Sequence, residues 1–210
     1  MKKVLSLVAI LAALAGTASA APYYLPQPAG GALTPYDIQP VYSIEGIYNF
    51  VQDGPDTYGA RLNFSLYSSN EGTVRHQVTL SAGYETGRET RTEDIFSYKV
   101  DLERMPITLG YDVNIALTDN ILIDLGVKMG YAEGVAEVTY NSPEEYAGMS
   151  DTEHMGGFTY GLTAGIKVEL SESVHLKLAY EFGRTFFRHY GDRSINLNQH
   201  GIVFGVGCLF

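Results

Sequence analysis

The sequence predicts an all-β protein, an eight-stranded antiparallel up-and-down β-barrel that spans a membrane. Three observations predict it: apolar residues recur at every second position in eight runs, the connections between runs alternate between short and long, and the last run ends in phenylalanine. Because successive side chains of a strand point to opposite faces, such alternation indicates strands with one apolar face.

The first 40 residues precede these runs and divide into two parts. Residues 1–20 have the order of a secretory signal peptide, with two lysines, a short apolar run and a small-residue cleavage site that ends at Ala20. Its apolar run is shorter than the about 20 residues that a helix needs to cross a bilayer. Residues 21–40 contain five prolines and a Gly-Gly pair, which predicts an extended periplasmic leader.

The eight alternating runs define the predicted barrel over residues 41–210. In chain order they occupy residues 42–50, 58–66, 78–84, 105–117, 121–131, 158–170, 174–182 and 202–210. The predicted spans are roughly 9 to 14 residues, as tilted strands need to cross a bilayer. An even number of strands brings both ends of the barrel to the same side.

The connections between the runs alternate in length. Short turns are predicted at residues 68–72, 118–120 and 171–173, and long loops at 86–97, 133–157 and 183–196. The connection at 52–56 is shorter, but it falls on the side of the long loops. Short periplasmic turns and long extracellular loops are typical of outer-membrane barrels.

The second face of the runs decides which side meets lipid. A soluble barrel also alternates, with its apolar side inward. Here the other face is rich in glycine and small polar residues, such as Gly161, Thr163 and Gly165. Glycine weakens a solvated strand without gain, whereas small residues make room inside a narrow eight-stranded lumen. The apolar face is therefore predicted to point to lipid, with tyrosines near the run ends as interfacial girdles.

Composition limits the other possibilities. The formal net charge is −10, and it becomes −12 without the two lysines of the signal peptide, which argues against a nucleic-acid partner. Cys208 is the one cysteine, so the chain forms no internal disulfide.

The end of the chain carries a family resemblance. Apolar residues at every second position lead to a terminal phenylalanine, namely Ile202, Phe204, Val206, Cys208 and Phe210. This pattern resembles the carboxy-terminal signature of outer-membrane proteins, which implies recognition by the barrel-assembly machinery. Residues 156–184 resemble the small outer-membrane barrels related to the OmpA transmembrane domain, OmpX and the opacity proteins. The resemblance covers residues 41–210 and implies an outer-membrane location.

The small-residue face also carries charges, which we expect to form an ion network that plugs the lumen. The predicted members are Glu45, Arg61, Asp112, Asp124, Lys128, Lys167, Lys177 and Glu181. Buried charges are costly unless they are paired. The favoured pairs are Asp124 with Lys167, and Glu181 with either Arg61 or Lys128. The alternative is that the same charges line a thin, water-filled channel.

The last long connection holds the remaining candidate residues. Arg184, Arg188 and Arg193 are expected to contact lipid phosphates, with a solvated loop as the alternative. His189 and Ser194 are residue types that lipid A-modifying enzymes use. Their spacing matches no such motif, so no catalytic residue is predicted.

The connection at residues 133–157 is acidic, with Glu137, Glu144, Glu145, Asp151 and Glu153 and no lysine or arginine between them. Carboxylates can bind calcium, but no calcium-loop spacing is present. A solvated acidic face is expected, and neither a metal nor a cofactor is predicted.

The function that these features favour is non-enzymatic: the protein stabilises the envelope or presents its loops for adhesion or host contact. The alternatives are a small-conductance porin, a lipid A-modifying enzyme and a soluble periplasmic barrel. The expected partners are outer-membrane lipid and lipopolysaccharide, the barrel-assembly machinery and a host or surface ligand. A monomer is expected.

Overall fold

The computed structural model describes residues 41–52, 54–71, 73–93, 96–142, 145–171, 174–188 and 194–209. The predicted signal peptide and the proline-rich leader lie outside these residues. The described segments include no helix of the length and apolarity that membrane crossing requires.

Eight strands form one closed antiparallel barrel, which confirms the predicted fold class. They are β1 Val41–Gln52, β2 Thr57–Glu71, β3 Val74–Glu93, β4 Phe96–Ala116, β5 Ile121–Ser142, β6 Ser150–Glu169, β7 Val174–Arg188 and β8 Ser194–Leu209. Each strand pairs with the next along the chain, and β1 pairs with β8 to close the ring.

The two faces of the strands have the predicted directions. Large apolar side chains on the outward face are exposed, as Ile44 at 62% and Leu178 at 59% show. Polar residues on the inward face are buried, and Asn49 and Asp124 are both 0% exposed. A soluble barrel would show the reverse, so this distribution fits a barrel surrounded by lipid.

The strands are longer than predicted, and two predicted long loops are largely strand. The strands β3 to β6 contain 20, 21, 22 and 20 residues. Most of residues 86–97 and 133–157, and parts of 183–196, therefore belong to paired strands. The prediction followed the apolar outward residues, and these stop where lipid stops although backbone pairing continues into water.

The extra length of β3 to β6 forms a four-stranded sheet beyond the barrel, which we call the sheet extension. It comprises residues 88–93, 96–103, 134–142 and 150–155. The last pair between β2 and β3 is Thr57 with Gly87, and the last pair between β6 and β7 is Gly156 with Arg188. The segments 88–93 and 150–155 are therefore the two edges of the sheet extension. At about 3.3 Å per residue, it reaches roughly 20–30 Å past the barrel.

A bulge near the base of β2 explains one misplaced turn. The pairing with β3 shifts between Ser65 and Tyr67, so that Leu66 and Tyr67 both point outward. The inward parity then resumes at Ser68, which is buried. Because a bulge inserts one unpaired residue, the alternating pattern breaks although the strand continues, and the turn comes later than the predicted 68–72.

Gly157→Ala is expected to destabilise the barrel, whereas Gly46→Ala is expected not to. A Cβ at Gly157 would overlap the carbonyl oxygen of Phe186, while a Cβ at Gly46 would lie 3.8 Å from its nearest neighbour, the carbonyl oxygen of Phe204. We expect a loss of about 1–3 kcal/mol in the free energy of unfolding for Gly157→Ala. For Gly46→Ala, we expect no loss. Urea unfolding in lipid vesicles measures both, and equal values would contradict the close backbone approach.

Candidate functional site

Arg61 is the centre of a buried ion network in the lumen. Its Nη2 atom lies 2.6 Å from Oε2 of Glu45 and 2.9 Å from Oε2 of Glu181. Glu45 is on β1, next to Arg61 on β2, whereas Glu181 reaches it from β7. Lys128 on β5 also contacts Glu181. One guanidinium thus connects carboxylates from separate walls of the barrel.

A second branch of the network runs from Glu45 toward the short turns. Lys177 Nζ lies 3.2 Å from Oε1 of Glu45 and 2.9 Å from Oδ2 of Asp124. Lys167 Nζ lies 2.9 Å from Oδ1 of Asp124. The structure therefore brings seven of the eight predicted lumen residues into one connected series of ion pairs.

The eighth residue, Asp112, lies beside this series of ion pairs, and its Oδ2 accepts a hydrogen bond from Thr79 Oγ1 at 3.0 Å. Asp112 lines a cavity of about 50 Å³ together with Lys128, Lys167 and His175. A cavity of this size holds a few water molecules, since each needs on the order of 10–15 Å³ of such space. The eight residues comprise four cations and four anions, so their formal charges cancel.

Small residues on neighbouring strands leave room for these long side chains. A Cβ at Gly161 would lie 2.7 Å from Cε of Lys128, and a Cβ at Gly205 would lie 2.9 Å from Cγ of Glu45. Alternating small and large residues are what a narrow barrel needs in order to fill its lumen. The glycines of the inward face are thus part of the site.

A second buried polar cluster lies nearer the sheet extension, and its residues are not among the predicted lumen residues. Arg104 Nη2 donates to Oε2 of Glu85 at 2.5 Å, and its Nη1 donates to Thr185 Oγ1 at 3.1 Å. Glu85 Oε2 also accepts from Asn49 Nδ2 at 2.8 Å and from Thr57 Oγ1 at 3.2 Å. The cluster therefore joins five strands, since Glu85 is on β3 and its other members are on β1, β2, β4 and β7.

Beyond this cluster, a group of buried apolar side chains, here called the apolar layer, fills the mouth of the barrel. Its members are Val51, Leu102, Ala132, Met155, Phe187 and Leu197, each from a different strand. Phe187 is only 1% exposed. Side chains from six strands thus meet in the lumen, so apolar packing as well as charge occupies the described part of the interior.

The inward parity of the strands could have revealed these missed residues. Leu102 and Arg104 have the parity of Thr108, and Phe187 has the parity of Glu181. The predicted strands end where the outward apolar pattern ends. Part of this set therefore fell in predicted loops.

The outer surface carries the first of the predicted lipid-phosphate residues. Arg184 lies between Phe182 and Phe186 on the outward face, with its Cζ atom 4.7 Å from the centre of the Phe186 ring. Its Nε atom is buried and has no hydrogen-bond partner among the described residues. The side chain of Arg188 and the whole of Arg193 lie outside the described residues, as does His189.

The other sequence predictions fall on the outer surface or outside the described residues. Ile202, Phe204 and Val206 of the predicted assembly signal point outward from β8, with Cys208 half-buried and Phe210 not described. The acidic residues Glu137, Asp151 and Glu153 lie on the paired strands β5 and β6 rather than in a loop, Glu145 lies in the connection between them, and Glu144 is not described. Within the described segments, no group of histidine, cysteine and acidic residues could hold a metal ion.

Comparison with known proteins assigns the family. A family model for the outer membrane protein beta-barrel domain matches residues 5–210. The chain belongs to this family. Its members are outer-membrane proteins, and the chain is therefore an outer-membrane β-barrel. No curated protein is significantly similar to it in sequence.

Two solved structures of one protein share the fold at low sequence identity, and that of another protein is less similar. The crystal structure of Ail, the attachment invasion locus protein of Yersinia pestis, is 17% identical, with a TM-score of 0.52 over 82% of this chain and 99% of Ail. Ail in complex with the heparin analogue sucrose octasulfate is also 17% identical, with a TM-score of 0.51 over the same shares. Neisserial surface protein A is 12% identical, with a TM-score of 0.49 over 82% of this chain and 97% of that protein.

Replacing Glu181 with Gln is expected to lower the free energy of unfolding by about 3–5 kcal/mol. The substitution keeps the volume but removes a carboxylate that two buried cations share. Asp101→Asn is the matched control, because Asp101 pairs with Arg88 and Lys99 on the water-exposed sheet extension. Its loss is expected below about 1 kcal/mol. Unfolding in urea measures both variants, and similar losses would show that the lumen pairs are solvated.

Proposed function

We propose that this outer-membrane barrel is non-enzymatic, is closed to ions and acts through contacts made by its sheet extension. The apolar layer is the observation that carries the proposal, since six side chains from six strands pack together across the mouth. Below it, the ion network and the Glu85–Arg104 cluster fill the lumen with paired charges. An eight-stranded barrel has an interior that side chains just fill, in agreement with this packing.

The small-conductance porin is the less favoured alternative. A pore needs a continuous wet path, and the cavity of about 50 Å³ lies among residues of the ion network, with no member of the apolar layer in its lining. An ion would have to displace paired charges and then cross the apolar layer. The two barriers lie in series, so opening one of them leaves the other in place.

A lipid A-modifying enzyme is also less favoured, because the described histidines have other surroundings. His76 Nδ1 is 2.7 Å from the hydroxyl of Tyr111, His200 stacks on Phe50, and His175 is buried at the short-turn end of the lumen. His154 is exposed on the outward face of the sheet extension. Removing the gene is expected to leave the mass of lipid A unchanged, whereas the loss of a modified lipid A species would favour the enzyme.

The sheet extension supports a role in surface contact. Its four strands reach roughly 20–30 Å beyond the barrel, farther than embedding in the bilayer requires. One structural relative was crystallised with a heparin analogue, which is a polyanion. The hairpin of β5 and β6 is instead acidic, so a polyanion of that kind is disfavoured as the ligand of this chain.

The conductance of the folded protein in a planar bilayer tests the closed state. We expect no ion-sized openings in the unmodified protein, in Glu181→Gln or in Phe187→Ala, since each single change leaves one barrier intact. The double variant is expected to conduct. Steady openings in the unmodified protein would overturn the closed barrel and make the porin the better interpretation.

Arg184→Gln is expected to weaken binding of lipid A phosphate. The half-buried Arg184 side chain packs on Phe186 on the outward face of β7, and phosphates favour arginine. Lys99→Gln, on the water-exposed sheet extension, is the matched control. Native mass spectrometry with bisphosphorylated and dephosphorylated lipid A should show a phosphate-dependent loss for Arg184→Gln alone. Equal retention by both variants would mean that Arg184 makes no such contact.

A further inference from the structure

The side of the sheet extension that faces the barrel axis has an apolar centre. Tyr98 of β4 pairs with Tyr140 of β5, with ring centroids 6.4 Å apart, and Val100 pairs with Val138. Cross-strand partners point to the same face of a sheet. The next pair toward the barrel, Leu102 with Ala136, meets the apolar layer. The apolar layer therefore continues out of the barrel as the centre of a sheet face.

Large apolar side chains are also exposed at the tips of the two hairpins. Phe96 is 40%, Tyr146 41% and Met149 56% exposed, and the rings of Phe96 and Tyr146 lie 6.3 Å apart. The sheet extension carries these residues roughly 20–30 Å past the barrel, beyond the reach of lipid. Clustered exposed apolar residues in water indicate an interaction surface. Together with the Tyr98, Val100, Val138 and Tyr140 centre, they form what we call the docking face.

The charges around the docking face have one predominant sign. Asp151 and Glu153 share the docking face, because Asp151 pairs with Val138 and Glu153 with Ala136. The chain has no lysine or arginine between Lys128 and Lys167 to balance these carboxylates. On the opposite flank, Arg91 and Glu89 form an ion pair of 2.9 Å and cancel each other. An apolar centre with a charged rim is typical of a protein interface.

We propose that the docking face binds a partner protein segment that combines basic with apolar side chains. The apolar centre would bury the apolar side chains, and the acidic β5–β6 flank would attract the basic ones. A second copy of this chain would be repelled, because it carries the same acidic flank. An anionic lipid surface would be repelled as well. This inference rests on the proposed role of the sheet extension in surface contact.

Fluorescence anisotropy with the full chain in nanodiscs tests the proposal. The probes are a labelled peptide of alternating lysine and leucine and its glutamate–leucine counterpart. The lysine peptide is expected to bind and the glutamate peptide is not. Tyr98→Ser with Tyr140→Ser should raise the dissociation constant of the lysine peptide by about tenfold or more, because aromatic anchors dominate interfaces. Heat-modifiable migration on gels checks that each variant is folded.

A matched pair of charge variants separates docking from diffuse attraction. Asp151→Asn changes the docking face, whereas Glu137→Gln removes the same charge from the other face of the same hairpin. We expect about a two- to fivefold weaker affinity for Asp151→Asn and little change for Glu137→Gln. Equal weakening by both variants, or undiminished binding after the tyrosine substitutions, would overturn the docking face.

Two further measurements separate this inference from the proposed function. If the docking face bound zwitterionic lipid vesicles and did not bind the lysine peptide, the partner would be a membrane and the inference would be overturned. Cells that display the chain and adhere to host cells without binding the lysine peptide would also overturn it, while the contact function stands. If such cells neither adhere nor bind the peptide, both proposals fail.

Discussion

The rest of the structure depends on the contact of the Arg61 guanidinium with two carboxylates. Glu45 is its in-register neighbour, whereas Glu181 reaches it from β7. The lumen of an eight-stranded barrel is just wide enough for side chains to fill it, and small residues alone would leave it empty. Long side chains therefore occupy it. Long polar side chains away from water need partners, and balanced pairing across the lumen supplies them. The same contacts connect strands from separate walls of the barrel.

The interior and the exterior of the barrel follow separate patterns on alternate residues of the same strands. Outside, apolar side chains continue as far as lipid does. Inside, the lumen passes from the ion network through the Glu85–Arg104 cluster to the apolar layer. The residue at which the outward apolar pattern ends therefore does not predict where the inward packed side chains end. This independence lets a strand continue past its outward apolar residues while its inward side chains stay buried, as Arg104 and Leu102 of β4 do.

The independence of the two patterns also explains what the sequence could and could not predict. Eight strands, their order and the lipid-facing side followed from the outer pattern, and parity placed Asp124 and Glu181 inside the lumen. The strand ends could not be predicted from that pattern, because Thr90 or Glu137 on an outward face in water resembles a loop residue. The residues that close the mouth, Phe187 among them, were missed for the same reason. Contacts between distant strands, such as Arg104 with Thr185, depend on how the closed barrel brings its walls together.

The sheet extension has two ways to meet a partner, and its charges favour one of them. Free strand edges can pair with another chain, and proteins commonly prevent this with charged edge residues. Here both edges carry such residues, with Arg88 and Arg91 on β3 and Asp151 on β6, whereas the middle of the sheet carries Tyr98 and Tyr140. A sheet selected only for solubility would carry charged residues on its central strands as well, because these strands offer the larger area to water. The face, rather than the edge, is therefore the more suitable surface for contact.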